Sequence, residues 1–196
     1  MAIVIGDIHG CYKTLVALIN QVKAKYPHDV IVSVGDLVDR GPDSKSVVQY
    51  CIDNNILCVQ GNHESMMWRA VLSNEPINME LWLNNGGEQT LYSYADDKET
   101  LKQHAEWMKR LPLYLEFPLA FNEQGRYLVV SHSNVGAVWK WSKEKREAMQ
   151  YHYEDYIMWN RYGQEDNEAI YNIVGHTPQY NGARIRSFYA NVDTGG

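Results

Sequence analysis

Five short stretches of this sequence carry side chains able to bind metal. Asp7 and His9 stand in Gly6-Asp7-Ile8-His9-Gly10, and Asp36 in Gly35-Asp36-Leu37-Val38-Asp39-Arg40-Gly41. Asn62 stands in Gly61-Asn62-His63-Glu64, His132 follows Ser131, and His176 lies in Gly175-His176-Thr177-Pro178. Carboxylates, imidazoles and one amide without a thiolate suit Mn²⁺, Fe or Zn²⁺ in a catalytic site rather than a cysteine-rich structural zinc site. Six such donors exceed what one catalytic ion needs while leaving room for water. Two divalent ions sharing one carboxylate, about 4 Å apart as in two-metal hydrolytic sites, fit better.

Distant stretches can meet only if the fold brings them to one place. Each of the five follows an apolar run rich in β-branched residues: Ala2 to Ile5, Val30 to Val34, Ile56 to Val59, Tyr127 to Val130 and Ile170 to Val174. These runs are continuous rather than alternating, which predicts buried, parallel strands. Between the first two, Leu15, Leu18, Ile19 and Val22 fall on one face of a helix over Tyr12 to Lys25, giving a β-α-β unit. Further helices are predicted from Ser44 as N-cap, over Ser65 to Leu72, and over Lys98 to Arg110 before Pro112. Leu113 to Phe117 and Leu119 to Phe121 read as strands, with Asn122 to Gly125 a turn. In open α/β sheets ligands collect beyond the carboxyl ends of the strands, so the five loops should converge. A glycine precedes the metal-competent residue in four of them, where it lets the backbone turn tightly.

The remaining signals are those of an ordinary globular chain. It has 196 residues, 45% of them hydrophobic, which suits one domain with a sizeable core. Its net charge of −6 argues against coating nucleic acid or anionic membrane, so an anionic substrate must be attracted locally. Cys11, Cys51 and Cys58 form no C-x-x-C pair and read as reduced cytosolic thiols. Met1 to Gly10 lacks the basic flank and apolar length of a signal peptide. His104 falls on the apolar face of its helix and reads as a packed core residue, and His28 and His152 as exposed. Ser142 to Tyr151 reads as a solvated helix, and Trp139, Trp141, Tyr151, Tyr153 and Tyr156 as core or groove packing.

Taken together, the GDIHG, GDLVDRG, GNHE and GHTP motifs resemble the calcineurin-type metallophosphoesterases, and among them the phosphoprotein phosphatases of the bacteriophage lambda kind. HGCY, LNNGG at Leu83 to Gly87, LPL at Leu111 to Leu113, WNR at Trp159 to Arg161 and VDTG extend the likeness over nearly the whole chain. The resemblance implies an α/β (α+β) four-layer sandwich in one domain over residues 1–196. In it two mixed β-sheets are flanked by helices, with a dinuclear metal site at the strand C-terminal ends. It implies one ion held by Asp7, His9 and Asp36, and a second held by Asp36, Asn62, His132 and His176. His63 would be the general acid, Asp39 its orienting partner, and Arg40 and Arg161 the phosphate clamp.

The activity so implied is that of a metal-dependent phosphomonoesterase, a protein serine/threonine phosphatase in which a metal-bridging hydroxide attacks phosphorus directly. Two divalent ions are the expected cofactors, Mn²⁺ in vitro, with Fe or Zn²⁺ as alternatives. Phosphorylated protein or peptide is the expected substrate, with small phosphate esters accepted in vitro. Neither nucleic acid nor membrane is expected as a partner, and the cytoplasm is the expected location. The alternative is hydrolysis of dinucleoside polyphosphates such as diadenosine tetraphosphate. Nucleases and cyclic-nucleotide diesterases of the superfamily usually carry GHxH, where this chain has Pro178. Two departures stand out. Ser133-Asn134 replaces the usual Ala-Gly or Gly-Gly, and the sequence stops after Val192-Asp193-Thr194-Gly195-Gly196 where relatives continue through another strand, so an uncovered sheet edge is expected.

Overall fold

A computed structural model describes residues 2–73 and 75–195. Three short apolar runs form a parallel sheet in the order β1 (Ala2–Ile5), β2 (Val30–Ser33), β3 (Leu57–Cys58). Its register pairs Ile5 with Ser33 and Ser33 with Cys58, so all three strands end at the same edge of the sheet. The second sheet has the order β4 (Tyr114–Phe121), β5 (Tyr127–Ser131), β6 (Ile170–Val174), β8 (Tyr189–Asn191), β7 (Arg184–Ile185). Here β5, β6 and β8 run parallel, while β4 and β7 pair antiparallel at the two sides.

The sheets meet through small β-branched side chains. Val32, Val34 and Val130 are buried between them, with Val4, Leu115 and Ile173 packed around. On the outer face of the first sheet lie α1 (Tyr12–Lys25), α2 (Ser44–Asp53), α3 (Asn62–Leu72) and α6 (Lys98–Lys109). They bury Leu15, Ile19, Val47, Met67 and Met108 in the largest core. Between α3 and α6 come α4 (Pro76–Trp82), a π-helical segment Leu83–Gly87 and α5 (Glu88–Tyr94). The second sheet is covered by α8 (Gln150–Trp159), through Tyr153 and Ile157, preceded by the short exposed α7 (Lys143–Ala148). The result is the expected helix–sheet–sheet–helix sandwich. Among the described residues no helix is long and apolar enough to cross a membrane.

Several details differ from the sequence reading. The first sheet is wholly parallel and only the second is mixed, because antiparallel pairing comes from the β4–β5 and β7–β8 hairpins. Leu113 to Phe117 and Leu119 to Phe121 are not two strands: one strand passes through Pro118 with a register shift between Phe117 and Phe121. Ser44 is not the cap of α2. Asp43 is, its carboxylate accepting the Ser46 N–H at 3.2 Å, which leaves the buried Ser44 hydroxyl for other partners. The third helix begins at Asn62 rather than Ser65, because Glu64 reaches back to accept the Gly61 N–H at 2.8 Å. α4, α5, most of α8 and the β7–β8 hairpin lack a clean period in sequence, and the helix read over Ser142 to Tyr151 ends at Ala148, with α8 starting anew at Gln150.

Other expectations match. His104 is buried between the Tyr94 hydroxyl at 2.7 Å and Gln49 at 3.2 Å, and His28 and His152 are exposed. All three cysteines are unpaired, and Trp139, Trp141, Tyr153 and Tyr156 pack in the second core while Tyr151 is exposed. Arg146 is not simply solvated, since it donates to the carbonyls of Trp141 and Trp139 and to the Tyr114 hydroxyl.

The narrow valine layer should be the mechanical joint of the sandwich. Val130→Ala is expected to destabilise the protein by roughly 1.5–3 kcal/mol. Leu119→Ala, at a position 95% exposed, should change stability by less than about 0.5 kcal/mol. Equal urea midpoints for the two variants would contradict this division of the core.

Candidate metal centre

The loops leaving β1, β2, β3, β5 and β6 meet at one end of the sandwich, and their backbones are bent to do so. Seven non-glycine residues have positive φ among the described residues, and five lie here: His9, Asp36, Asp39, Arg40 and His176. Such conformations cost about 1–3 kcal/mol each and persist only where surroundings over-determine them. The Asp36 carbonyl accepts the N–H groups of Ile8 and His9 at 3.0 and 2.9 Å, locking the first loop onto the second. The preceding glycines serve two purposes. Gly35 does adopt φ +95°, but Gly6, Gly61 and Gly175 do not need a left-handed turn. A Cβ on Gly175 would lie 2.2 Å from an Asp7 carboxylate oxygen, and one on Gly61 2.3 Å from an Asp36 oxygen, so there glycine makes room for buried carboxylates.

Asp36 is the hub. It belongs to two groups of potential ligands, His9–Asp36–His63 and Asp36–His132–His176, within each of which the ligand atoms lie within 4.8 Å of one another. His9 and His132 each donate Nδ1–H to a backbone carbonyl, of Val38 and Val34, both at 2.8 Å. Their Nε2 atoms therefore face the centre, the arrangement that orients an imidazole toward a cation. Asn62 Oδ1 lies 2.9 Å and His176 Nδ1 3.1 Å from His132 Nε2. Asp7 approaches from the His176 side, both of its oxygens accepting the His176 N–H at 3.2 Å. Five of the six sequence-predicted ligands, His9, Asp36, Asn62, His132 and His176, thus lie around Asp36, whereas Asp7 belongs to neither group and reaches them through the His176 N–H, and the imidazole grouped with His9 and Asp36 is that of His63.

The charge pattern fits a cation. Burial holds His9 and His176 down to about 4 and about 3, so both are neutral at pH 7 and keep a lone pair to donate. His176 Nε2 is buried with no partner among the described residues. Burial raises Asp7 well above the usual carboxylate range, with the charge of Asp36 adding to it. Burial also opposes ionisation of Asp36, but His132 and His63 outweigh it and hold its pKa well below normal. Burial likewise opposes the charge on His132, yet Asp36 and Asp7 lift it to about 10. An imidazolium at His132 thereby supplies positive charge to the carboxylates. A second stand-in is Arg40, whose guanidinium donates to Nε2 of His9 at 2.8 Å and of His63 at 2.9 Å. Because a guanidinium only donates, both rings must carry their proton on Nδ1.

Beside the centre, His63 Nδ1 lies 2.7 Å from Asp39 Oδ2. Asp39 is itself gripped: its Oδ1 accepts from Trp82 Nε1 at 2.9 Å and the Thr90 hydroxyl at 2.7 Å, and its N–H donates to Thr90 and Ser44 hydroxyls. Trp82 and Thr90 reach Asp39 because the helix breaks between them at Gly86, whose carbonyl accepts the Arg40 N–H at 3.1 Å. Arg161 is exposed just beyond α8, close enough for its charge to help hold His176 down, after burial and His132. Ser133, one of the departures noted in sequence, ties the His132 loop to α8 through the carbonyls of Tyr156 and Ile157.

The residues missed in sequence are Glu64, Trp82 and Thr90. Glu64 ends the GNHE motif and is fully buried, accepting N–H groups from Asp36, Leu37 and Gly61 at 2.7–2.8 Å. Burial and the charge of Asp36 raise its pKa to about 7, against the pull of His132 and those amides. The LNNGG stretch marked the segment of Trp82 and Thr90 without revealing that its business is Asp39.

A family profile described as "Calcineurin-like phosphoesterase" matches residues 2–193. Serine/threonine-protein phosphatase 1 of Salmonella typhimurium is 32% identical over 98% of this chain and 85% of its own length. The symmetrical bis(5'-nucleosyl)-tetraphosphatase of Salmonella paratyphi C is 30% identical over 69% of this chain but only 43% of its own length. The solved structure of a protein serine/threonine phosphatase from Saccharomyces cerevisiae superimposes with a TM-score of 0.62, at 15% identity, covering 98% of this chain and 66% of that one. At that identity it speaks for the fold alone.

Glu64→Gln replaces an acceptor of three backbone amides by a group that must turn a donor toward one of them. It should lower stability by roughly 1–3 kcal/mol. An unchanged melting temperature would mean that the Asp36 loop is held by other contacts.

Proposed function

The chain belongs to the calcineurin-like phosphoesterases, a hydrolase family acting on phosphate esters, and from that membership we propose that it removes phosphate from serine and threonine side chains of proteins. The observation that carries the proposal is the His63–Asp39 pair at 2.7 Å, joined through His63 to the first of two candidate cation clusters that share Asp36. In this reading Asp7, His9 and Asp36 hold one divalent ion, and Asp36, Asn62, His132 and His176 the other. Mn²⁺ suits this oxygen- and imidazole-rich set. The chemistry bound cations supply is activation of water at neutral pH and neutralisation of charge on the phosphoryl oxygens.

The protein's own residues do the rest. A phosphate dianion competes for the Arg40 guanidinium, drawing it off His9 and His63, and forks with Arg161 to form the clamp. Once released, His63 Nε2 can carry the proton that a serine or threonine alkoxide needs on leaving. Asp39, fixed by Trp82 and Thr90, orients the ring and favours its charged form. Although burial opposes it, Asp36 and Asp39 raise the His63 pKa, as a proton donor near neutrality requires. Three unpaired cysteines accord with a reducing compartment such as the cytoplasm, and the family match over residues 2–193 accords with a single domain.

A second reading, hydrolysis of dinucleoside polyphosphates, draws on the tetraphosphatase relative. It uses the same cation chemistry on an anhydride, whose phosphate leaving group needs little help from an acid. Rates on diadenosine tetraphosphate and a phosphoserine peptide, measured side by side, separate the two.

His63→Asn should lower turnover of phosphoserine peptides by roughly 10²–10⁴ and reduce p-nitrophenyl phosphate turnover far less, because a nitrophenolate leaves unaided. Equal losses on both substrates would remove His63 from the acid role.

A further inference from the structure

Beside the centre a cleft of about 360 Å³ opens between α3, α4 and α8. Both long walls start at the site. α3 begins with Asn62 and His63, and α8 ends at Trp159, whose ring stands 6.3 Å from that of His176. Moving away from the centre, the cleft passes Arg69 on one wall and Asp155, Glu154 and Tyr151 on the other, with Leu81 from α4 along its side. At 1.5 Å per residue the eight positions from Trp159 to Tyr151 span about 12 Å, the length of three to four extended residues.

Its charges are unequal. Arg69 is already paired with Glu154 at 3.7 Å, and Glu154 also accepts from Gln150 at 2.7 Å. Asp155 is exposed and has no ion-pair or hydrogen-bond partner among the described residues. Tyr151 and Leu81, 72% and 46% exposed, offer apolar surface beside it. The cleft thus combines one uncompensated carboxylate with surface suited to the stem of a long side chain.

We propose that this cleft binds the polypeptide on one side of the phosphorylated residue and selects a lysine or arginine about three positions away, its cation against Asp155 and its stem on Tyr151 and Leu81. The proposal rests on the phosphoprotein phosphatase reading above. The protonated leaving oxygen departs beside His63, at the head of α3, and the chain attached to it must exit there. Ser133 fixes α8 to the His132 loop, so this wall keeps its distance from the centre.

The test uses four phosphoserine peptides, with arginine or glutamate three residues before or after the phosphoserine, together with diadenosine tetraphosphate. For one of the two positions the wild type should prefer arginine over glutamate by about three- to tenfold in kcat/KM. In Asp155→Lys that ratio should fall to unity or invert. Taking a ratio within each protein removes any general loss of activity. A wild-type ratio near one at both positions, or a preference that survives Asp155→Lys, overturns the cleft while leaving the phosphatase reading intact. Hydrolysis of diadenosine tetraphosphate with no peptide turnover overturns both, and would give the cleft to the second nucleoside.

Discussion

Five carboxylates, Asp7, Asp36, Asp39, Glu64 and Asp193, are packed into one end of this fold, and a protein interior tolerates so many only where each is protonated or compensated. Each is matched differently. Asp39 has an imidazole, an indole and a hydroxyl, and Glu64 has three backbone amides. Asp36 and Asp7 lean on His132, and Arg40 covers the centre from outside. Against burial, Asp36 and Asp7 push the His132 imidazole toward its protonated form, so the centre favours positive charge. A divalent ion answers that demand better than a proton, and its binding would displace one.

The scaffold makes this concentration of charge possible. Parallel strands deliver their following loops to one edge, and a thin layer of valines lets the two sheets approach until His132 from the second donates to the Val34 carbonyl of the first. Left-handed backbone at five site residues is the strain such aiming requires. Glu64, Thr90 and the carbonyls of Asp36 and Gly86 are the hydrogen-bonding partners that hold it.

The candidate ligands were legible in the sequence because each follows an apolar strand, and parallel neighbouring strands place their following loops at a common edge. Asp39 and His63 were legible only through resemblance. Glu64 stood in a quoted motif, but nothing in spacing distinguishes a carboxylate that binds metal from one that binds amides. Trp82 and Thr90 were harder still, for they act through a helix broken at Gly86 that has no amphipathic period to mark it. The reasons for the glycines were also partly hidden. A turn can be guessed from Gly35, whereas the close approach of Asp7 to Gly175 joins residues far apart in the chain and exists only once the sheets have packed.

Whether Asp36 is shared by two cation sites is decided by counting manganese bound per chain, by elemental analysis of desalted protein and by calorimetric titration, in the wild type and in Asp36→Asn with its fold checked by circular dichroism. Two equivalents in the wild type and fewer than one in the variant is the result this account requires. A single equivalent in the wild type, or two in both proteins, would contradict it.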